Sequence, residues 1–199
     1  MKTIANSIYQ RILKKKRGWV FTPFDFQDLG PRVSIDQTLS RLAKKEKIRR
    51  VTQGVYDYPE LSRFGQIPAD LLSVADAISR STQSKILVSE SYAANILGLS
   101  NQVPAKLILY TDGARRIRKV GQQKIIFKQT TPKKLMGAGK ISGLVFQSLR
   151  YFGKERINNT IISRLKKILK QRDKELILKE KYSTPIWMQI AINQIAEHA

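Results

Sequence analysis

The chain of 199 residues has no cysteine and a single histidine, His198. Without cysteine, neither a disulfide framework nor a thiolate metal site can form, which fits a reducing compartment. The single histidine lies next to the last residue, so the chain lacks the side chains that Ser–His or Cys–His catalysis and the usual His–Cys metal sites require. The carboxylates are scattered, and there is no Walker-type phosphate loop. We therefore predict no catalytic residues, no metal site and no cofactor, and a protein that is not an enzyme.

Long apolar runs are also missing. Polar residues from Asn6 to Arg11 interrupt the start of the chain, so it lacks the continuous apolar core of a signal peptide. No later run approaches the length of a membrane span. The sequence therefore predicts a soluble cytoplasmic protein without a membrane partner.

Acidic residues are scarce. Asp and Glu number 15 against 37 Lys and Arg, which gives a formal net charge of +22. A surface this basic repels itself unless an acidic partner is near, so nucleic acid or an acidic protein is expected. Residues 1–58 hold 13 basic and 5 acidic side chains, a net of +8, which leaves +14 for residues 59–199. A partner for the first part alone would leave most of the excess charge unexplained.

The first 31 residues predict two helices separated by a strand. Ile4, Ile8 and Ile12 recur at helical spacing, which indicates an amphipathic helix over residues 3–16 that Gly18 ends. The pattern then favours a short strand at 19–21. A Thr-Pro pair opens a second short helix, and a Gly-Pro turn closes it.

The following segment predicts a helix with a basic outer face and then a hairpin. Ser34 and Gln37 have the spacing of a capping box, so the third helix is expected to begin at Ser34. Two β-prone runs flank a tight turn at 52–54 and predict a wing. This order of elements is typical of a winged helix-turn-helix, a DNA-binding arrangement, over residues 1–58. Three apolar residues share the inner face of the third helix: Ile35, Leu39 and Leu42.

DNA contacts are predicted for the outer face of that helix and for nearby basic residues. Arg41 or Lys44 has donors for guanine and Gln37 for adenine, whereas Arg49 would neutralise phosphate. Simpler alternatives are that Gln37 closes the capping box, that Asp36 favours the helix N-terminus, and that Lys-rich helix ends are merely solvated. The order of helix, turn and wing favours DNA binding. The predicted DNA-binding residues are Asp36, Gln37, Ser40, Arg41, Lys44 and Lys45 on the helix, Arg49, Arg50 and Gln53 on the wing, and Lys14, Lys15, Lys16 and Arg17 at the end of the first helix.

Beyond residue 58 the pattern becomes mixed α/β and then helical. Residues 59–68 predict a linker, and helices and strands alternate to about residue 140. Among the later helices, an apolar stripe is expected from Ile157, Ile161, Leu165 and Ile168, with Arg164, Lys166, Lys167 and Lys170 outside. The predicted fold class is α+β: an N-terminal winged helix-turn-helix (1–58), a linker (59–68), and a second domain (69–199) that is mixed α/β to about 140 and helical over 142–199.

A second basic cluster lies on a predicted hairpin about Gly121-Gln122. It could bind a nucleic acid backbone or an acidic protein surface, or it could be a solvent-facing side of a strand. The candidate partner-binding residues are Arg115, Arg116, Arg118, Lys119, Lys124 and Lys128.

Three motifs together resemble a known family. They are Arg50–Tyr56 (RVTQGVY), Ser89–Lys106 (SESYAANILGLSNQVPAK) and Tyr110–Gly113 (YTDG). The chain from about residue 1 to 153 resembles the AbiEi-type antitoxins of type IV abortive-infection toxin-antitoxin systems, in particular a compact subgroup of them. The first motif is common among winged helices. Its combination with the alanine-leucine-glycine-leucine helix and the following proline is more specific.

The resemblance implies a repressor and an antitoxin in one chain. It implies a winged helix that binds inverted repeats in its own promoter, and a C-terminal domain that counters a nucleotidyltransferase-like toxin. Carried over, the DNA-binding helix falls on Ser34–Lys45 and the wing on Arg49–Tyr56. The helix Ser89–Gly98 corresponds to a fold-forming motif. Many relatives have a histidine shortly before its glycine, whereas this chain has Asn95 and Ile96, so no chemistry is assigned there.

The sequence is therefore consistent with three functions. The leading hypothesis is a non-enzymatic antitoxin that binds double-stranded DNA at its own promoter and has a cognate toxin as its partner. The alternatives are a winged-helix transcription regulator without a toxin, and a basic RNA- or protein-binding module.

Overall fold

The computed structural model describes residues 3–102, 104 and 106–197, and it is a mixed α+β structure with several small sheets, which confirms the predicted class. Contacts divide it into two compact units. The first extends to Ser84 and includes Arg118–Ile125, and the second consists of Lys85–Ile117 and the chain from Ile126 onward. No helix within the described ranges has both the length and the apolarity to cross a membrane. His198, together with Val103 and Ala105 of the second motif, lies outside the described residues.

Helix α1 (Ile4–Lys15) begins after a capping residue, Thr3, whose hydroxyl accepts a hydrogen bond from the Asn6 N–H at 3.3 Å. The predicted stop at Gly18 is wrong. Lys16 already leaves the helix with a φ of 67°, and its N–H donates to the Leu13 carbonyl at 3.1 Å. Strand β1 (Val20–Phe21) and a 3-10 helix (Pro23–Leu29) follow, close to their predicted places.

Helix α2 comprises Arg32–Lys44, so the predicted start at Ser34 is wrong. Pro31 is the N-cap, with φ −61° and ψ 144°, a conformation that suits proline. Ser34 therefore lies inside the first turn, and its carbonyl accepts a hydrogen bond from the Thr38 hydroxyl at 2.8 Å. Gln37 does not close a capping box, which removes one of the alternatives for it. The predicted inner face is confirmed, with Ile35 and Leu39 buried and Leu42 half-buried.

The predicted hairpin after α2 is present as β2 (Arg49–Thr52) and β3 (Val55–Asp57), which pair antiparallel. Gly54 has a φ of 73°, a left-handed conformation that glycine adopts without steric cost in such a turn. Strand β1 pairs with the other edge of β3, giving the order β1-β3-β2. The sheet and helices enclose a core whose largest fully buried members are Ile8, Ile12, Phe21, Phe26, Ile35 and Leu39.

The predicted linker contains a second hairpin, β4 (Leu61–Ser62) and β5 (Gly65–Gln66). Helix α3 (Leu71–Thr82) follows, with Asp70 accepting the Ser73 N–H at 2.8 Å as its N-cap. By its contacts α3 groups with the first unit. The proposed domain limits at 58 and 69 stay predictions.

The later strands are β6 (Ile86–Val88), β7 (Leu107–Thr111), β8 (Arg116–Val120) and β9 (Gln123–Gln129). They form one four-stranded sheet of order β6-β7-β9-β8, and β6 pairs antiparallel with β7. The predicted hairpin about Gly121 is present as β8 and β9. Helix α4 (Glu90–Ile96) lies between β6 and β7 in the chain.

The last part of the described chain is helical, as predicted, but the expected apolar stripe is wrong at Ile168, which is 47% exposed. Ile157 is half-buried and packs against the same core, although it precedes α6 (Asn159–Ile168), which Asn158 caps by accepting the Ile161 N–H at 3.1 Å. The buried side is formed by Ile161, Ile162, Leu165 and Leu169. The elements are α5 (Ile141–Arg156, interrupted at Gly153), α6 (Asn159–Ile168), α7 (Gln171–Glu180), a 3-10 turn (Lys181–Ser183) and α8 (Ile186–Ala196).

Candidate nucleic-acid interface

The outer face of α2 carries five of the thirteen predicted DNA-contacting side chains, and Lys45 follows directly after the helix. Because Ile35 and Leu39 point into the core, residues on the opposite side of the helix face away from it. The Nη2 of Arg41 lies 3.4 Å from the Thr38 hydroxyl oxygen, a long contact that leaves the exposed guanidinium near the helix surface. The exposed members of the predicted set are Gln37, Ser40, Arg41, Lys44 and Lys45.

Asp36 is paired within the same helix. The Nε of Arg32, one turn earlier, donates to Oδ1 at 3.0 Å and to Oδ2 at 2.9 Å. Both partners are solvent-accessible, so this pair stabilises the helix only slightly, but it offsets the one negative charge on the outer face.

Sequence reasoning missed the first two residues of α2. Arg32 and Val33 are exposed, and Val33 is 67% exposed although it is apolar. In helices that lie in the major groove, N-terminal residues contact base edges, and a valine methyl group suits the thymine methyl group. The Gly-Pro pair at 30–31 was the available signal, because proline is common where a helix begins.

The predicted wing residues differ sharply in their surroundings. Arg49 donates from Nε to Asp57 Oδ1 at 3.1 Å, from Nη2 to Asp57 Oδ2, and from Nη2 to the Ile67 carbonyl at 2.9 Å. Asp57 is only 2% exposed, so its charge is balanced by this arginine. Arg50 and Gln53 are exposed. The structure therefore gives Arg49 a structural partner and leaves its neighbours on the surface.

The basic segment 14–17, at the end of α1, is exposed and is partly ordered by aromatic rings. The Nζ of Lys15 lies 5.8 Å from the ring centroid of Trp19, and the Cζ of Arg17 lies 4.7 Å from that of Tyr58. Cations at these distances over a ring face are attracted by its quadrupole. Lys14 and Lys16 are exposed beside them.

Two arginines that sequence reasoning did not single out connect elements of the first unit. Arg11 donates to both carboxylate oxygens of Asp28, at 2.7 and 2.6 Å, and this hydrogen bonding lowers the pKa of Asp28. Arg80 on α3 donates to Asp25 at 3.1 Å and to the Val20 carbonyl at 3.0 Å. With Lys14, Lys15 and Trp19 they line a cleft of about 760 Å³. Their partners are far away in sequence, so no local pattern marked them.

The second predicted cluster lies on the β8–β9 hairpin, and its members are not equally exposed. The side of β8 that carries Ile117 is exposed, whereas Arg116 and Arg118, on its other side, are half-buried. The exposed members are Arg115, Lys119, Lys124 and Lys128. Their role as partner contacts stays a prediction.

A further basic depression of about 690 Å³ lies among the helices of the second unit. Three of its basic residues are on α6, as expected for the outer side of that helix, and α7 adds Lys174. Four cations face one carboxylate there, that of Glu197. The lining residues are Asn159, Thr160, Ser163, Arg164, Lys166, Lys167, Lys174 and Glu197.

The segment of the second motif is held by side-chain hydrogen bonds. Asn95 donates to the carbonyls of Ser100 at 3.3 Å and Gln102 at 3.1 Å, so it orders the loop after α4. The Tyr110 hydroxyl donates to Glu90 at 2.9 Å. Burial, and then this bond to a carboxylate, raises the pKa of Tyr110 to about 12. These contacts support the structural role that was expected for this segment.

The described residues include no group of three or more His, Cys, Asp or Glu side chains placed to hold a metal ion. Exposed basic clusters occur in both units.

Fold and surface define a mixed α+β protein with two basic units. A family model matches residues 7–177, so the chain belongs to that family, described as a family of unknown function (DUF6088). No curated protein matches the chain.

Proposed function

We propose that the chain is a DNA-binding regulator whose first unit acts as a winged helix-turn-helix. The observation that carries this proposal is the outer face of α2, where Gln37, Ser40, Arg41 and Lys44 are exposed opposite a buried apolar face. In the proposed complex α2 lies in the major groove and the β2–β3 hairpin is the wing. The exposed cations after α1 are consistent with contacts to the flanking phosphates.

The side chains of α2 have different roles in this proposal. Gln37 and Arg41 contact base edges, since an amide suits adenine and a guanidinium suits guanine. Val33 contacts a thymine methyl group. Lys44, Lys45 and Arg50 neutralise phosphates, as do Lys14 and Lys16. Asp36 and Arg49 have partners within the protein, so we assign them to positioning the helix and the hairpin.

We further propose that the protein represses its own promoter at inverted repeats and opposes a nucleotidyltransferase-like toxin in the cytoplasm, without enzymatic activity of its own. The support is the resemblance of the motifs at 50–56, 89–106 and 110–113 to the AbiEi-type antitoxins. The basic second unit, which carries much of the +22 charge, is consistent with an acidic partner beyond the promoter DNA.

Titration of the protein against the DNA upstream of its own gene tests the regulator proposal. Arg41→Ala is expected to cost roughly 1–3 kcal/mol and to relax preference at one base position. Arg172→Ala, at an exposed arginine of α7, is the matched control and should leave binding unchanged. Equal affinity for the upstream DNA and a random duplex at moderate salt would contradict the proposal.

A basic RNA- or protein-binding module is the second candidate, and the depression beside α6 and α7 favours it. A regulator without a toxin is the third. An adjacent gene for a nucleotidyltransferase favours the antitoxin. Coexpression with that toxin, followed by growth rescue and pull-down, then separates the candidates, because neither of the other two should restore growth.

A further inference from the structure

The β4–β5 hairpin has an exposed aromatic ring and a cation at its tip. Phe64 is 86% exposed, more than the other large apolar residues that are exposed in the described part of the chain. The Cζ of Arg63 lies 4.6 Å from the ring centroid of Phe64. Leu61 and Ile67, on the two sides of the same hairpin, are also exposed. The Phe64 side chain contributes little to the stability of the fold, because most of its surface remains exposed to water.

Hydrogen bonds give the tip a defined shape. The Ser62 hydroxyl accepts the Phe64 N–H at 3.2 Å and donates to the Gly65 carbonyl at 3.1 Å. At the base, the Ile67 N–H donates to the Glu60 carbonyl at 2.9 Å. The hairpin therefore holds Arg63 and Phe64 at its end, and little conformational entropy would be lost when the tip binds.

Both ends of the hairpin are bonded to segments that carry predicted DNA contacts. Arg17, in the basic segment after α1, donates to the Pro59 carbonyl at 2.8 Å. Arg49, on the first strand of the proposed wing, donates to the Ile67 carbonyl at 2.9 Å. The base of the hairpin thus lies next to two of the three elements that the proposed function assigns to DNA.

The charges around the hairpin favour a polyanion as its occupant. Its one carboxylate belongs to Glu60, which lies at the base against Gly18, away from the tip. Arg63 and Arg17 add positive charge there, whereas the charge of Arg49 is balanced by Asp57. The contact between Arg17 and the Pro59 carbonyl places the basic segment 14–17 beside the start of the hairpin. A guanidinium can bind a phosphate, and an apolar ring can contact sugars or enter between base steps in a groove.

We propose that the tip of this hairpin is a second contact to the same DNA duplex, with Arg63 on a phosphate and Phe64 against the sugars and bases of a groove. This inference rests on the proposed function, because it assumes that the first unit binds duplex DNA. It adds a contact that is separate from α2 and from the β2–β3 turn.

The test uses the full chain and a duplex of the DNA upstream of its gene, with binding measured over a range of salt concentrations. Phe64→Ala should weaken binding about tenfold, as expected for the loss of a single aromatic contact. It should leave the salt dependence unchanged. Arg63→Ala should reduce the slope of log affinity against log salt by about 0.9, the value for one phosphate. Hydroxyl-radical footprints of both variants should lose one protected stretch and retain the stretch that Arg41→Ala removes.

The chain offers a matched control in the second unit. Lys181 and Tyr182 form a similar neighbouring pair, with the Lys181 Nζ 5.3 Å from the ring centroid, and Tyr182 is 77% exposed. Tyr182→Ala should leave both affinity and footprint unchanged. Phe64→Leu, which keeps an apolar side chain, should recover part of the lost affinity.

The outcomes separate this inference from the function on which it rests. If the unmodified chain binds the duplex and the Phe64 and Arg63 variants bind it equally well with complete footprints, the hairpin contact is wrong and the proposed function stands. If these variants lose binding only to a protein partner, the tip is a protein contact and the inference is overturned. If the unmodified chain does not bind duplex DNA, both are overturned.

Discussion

Two neighbouring arginines on β2 have opposite environments. Arg49 donates to the buried carboxylate of Asp57 and to the Ile67 carbonyl, whereas Arg50 is exposed. Successive side chains of a strand point to opposite faces, so adjacent residues of one type can have separate roles. At the scale of single residues, the partner of each arginine therefore decides what its loss will do.

Arg49→Ala should destabilise the protein by about 2–3 kcal/mol, because it leaves a buried carboxylate without its counter-charge. Arg50→Ala should change the stability by less than about 0.5 kcal/mol, as is usual for an exposed substitution, and should instead weaken DNA binding. Urea unfolding of both variants, with gel shifts for the second, checks this pair. Equal stability of the two variants would contradict the assignment.

Tyr110 provides a pH-dependent prediction. Its pKa is raised to about 12 by burial and by its bond to Glu90, whereas the unfolded chain has a tyrosine pKa near its ordinary value of 10. The folded state therefore holds the phenol proton more tightly. The resulting stability is present below pH 10 and is lost as the pH rises from 10 toward 12.

Tyr110→Phe should therefore cost about 1 kcal/mol at neutral pH, from the lost hydrogen bond to Glu90. The substitution should also remove part of the loss of stability at alkaline pH. The difference in the free energy of unfolding between the variant and the unmodified chain should therefore shrink above pH 10. Unfolding curves at pH 8 and at about pH 11 measure this. Tyr182→Phe is the control. If the Tyr110→Phe variant differs from the unmodified chain by the same free energy of unfolding at both pH values, the prediction is contradicted.

At the scale of elements, the first turn of a helix determines which side chains are buried. Helix α6 begins after Asn158, so Ile157 is not part of it and the buried side falls on Ile161, Ile162, Leu165 and Leu169. A stripe drawn from spacing alone included Ile168, which is largely exposed. The start of α2 shows the same effect, since Pro31 places Arg32 and Val33 on the helix.

Leu165 and Ile168 allow this register to be measured. Leu165→Ala should cost about 2–5 kcal/mol, because the leucine is fully buried and leaves a cavity. Ile168→Ala should cost less than about 1 kcal/mol. Thermal or urea unfolding distinguishes them, and the reverse order would show that α6 is rotated relative to this description.

At the scale of the whole molecule, the net charge of +22 gives salt two opposite effects. Screening reduces repulsion within the free protein, so its melting temperature should rise between low and moderate salt. DNA affinity should fall over the same range. Five exposed cations that the proposed function assigns to phosphates, Lys14, Lys16, Lys44, Lys45 and Arg50, predict a log–log slope of about −4.5, and Arg63 at the hairpin tip adds about −0.9.

Parallel melting and binding titrations in the same buffers measure both effects. A melting temperature that falls with salt would mean that ion pairs such as those of Arg11 and Arg49 outweigh the general repulsion. A slope near zero would contradict phosphate binding by this surface. A slope much steeper than −4.5 would indicate that cations outside the five also contact the duplex.

Features that depend on neighbours along the chain could be predicted from the amino-acid sequence. The periodicity of Ile8 and Ile12 predicted α1, Ile35 and Leu39 predicted the inner face of α2, and a glycine between β-prone runs predicted the β2–β3 hairpin. The charge of the chain and its lack of cysteine followed from composition alone. These are local or additive properties, and no tertiary contact changes them.

Which of the basic residues have internal partners depends on the tertiary structure. Arg49 with Asp57, Arg80 with Asp25 and Arg17 with Pro59 join residues that are 8, 55 and 42 positions apart. The tertiary structure also shows, within the predicted linker, a hairpin that presents Arg63 and Phe64. Hydrogen bonds and burial depend on how distant segments meet, and the pattern of residue types does not specify that meeting.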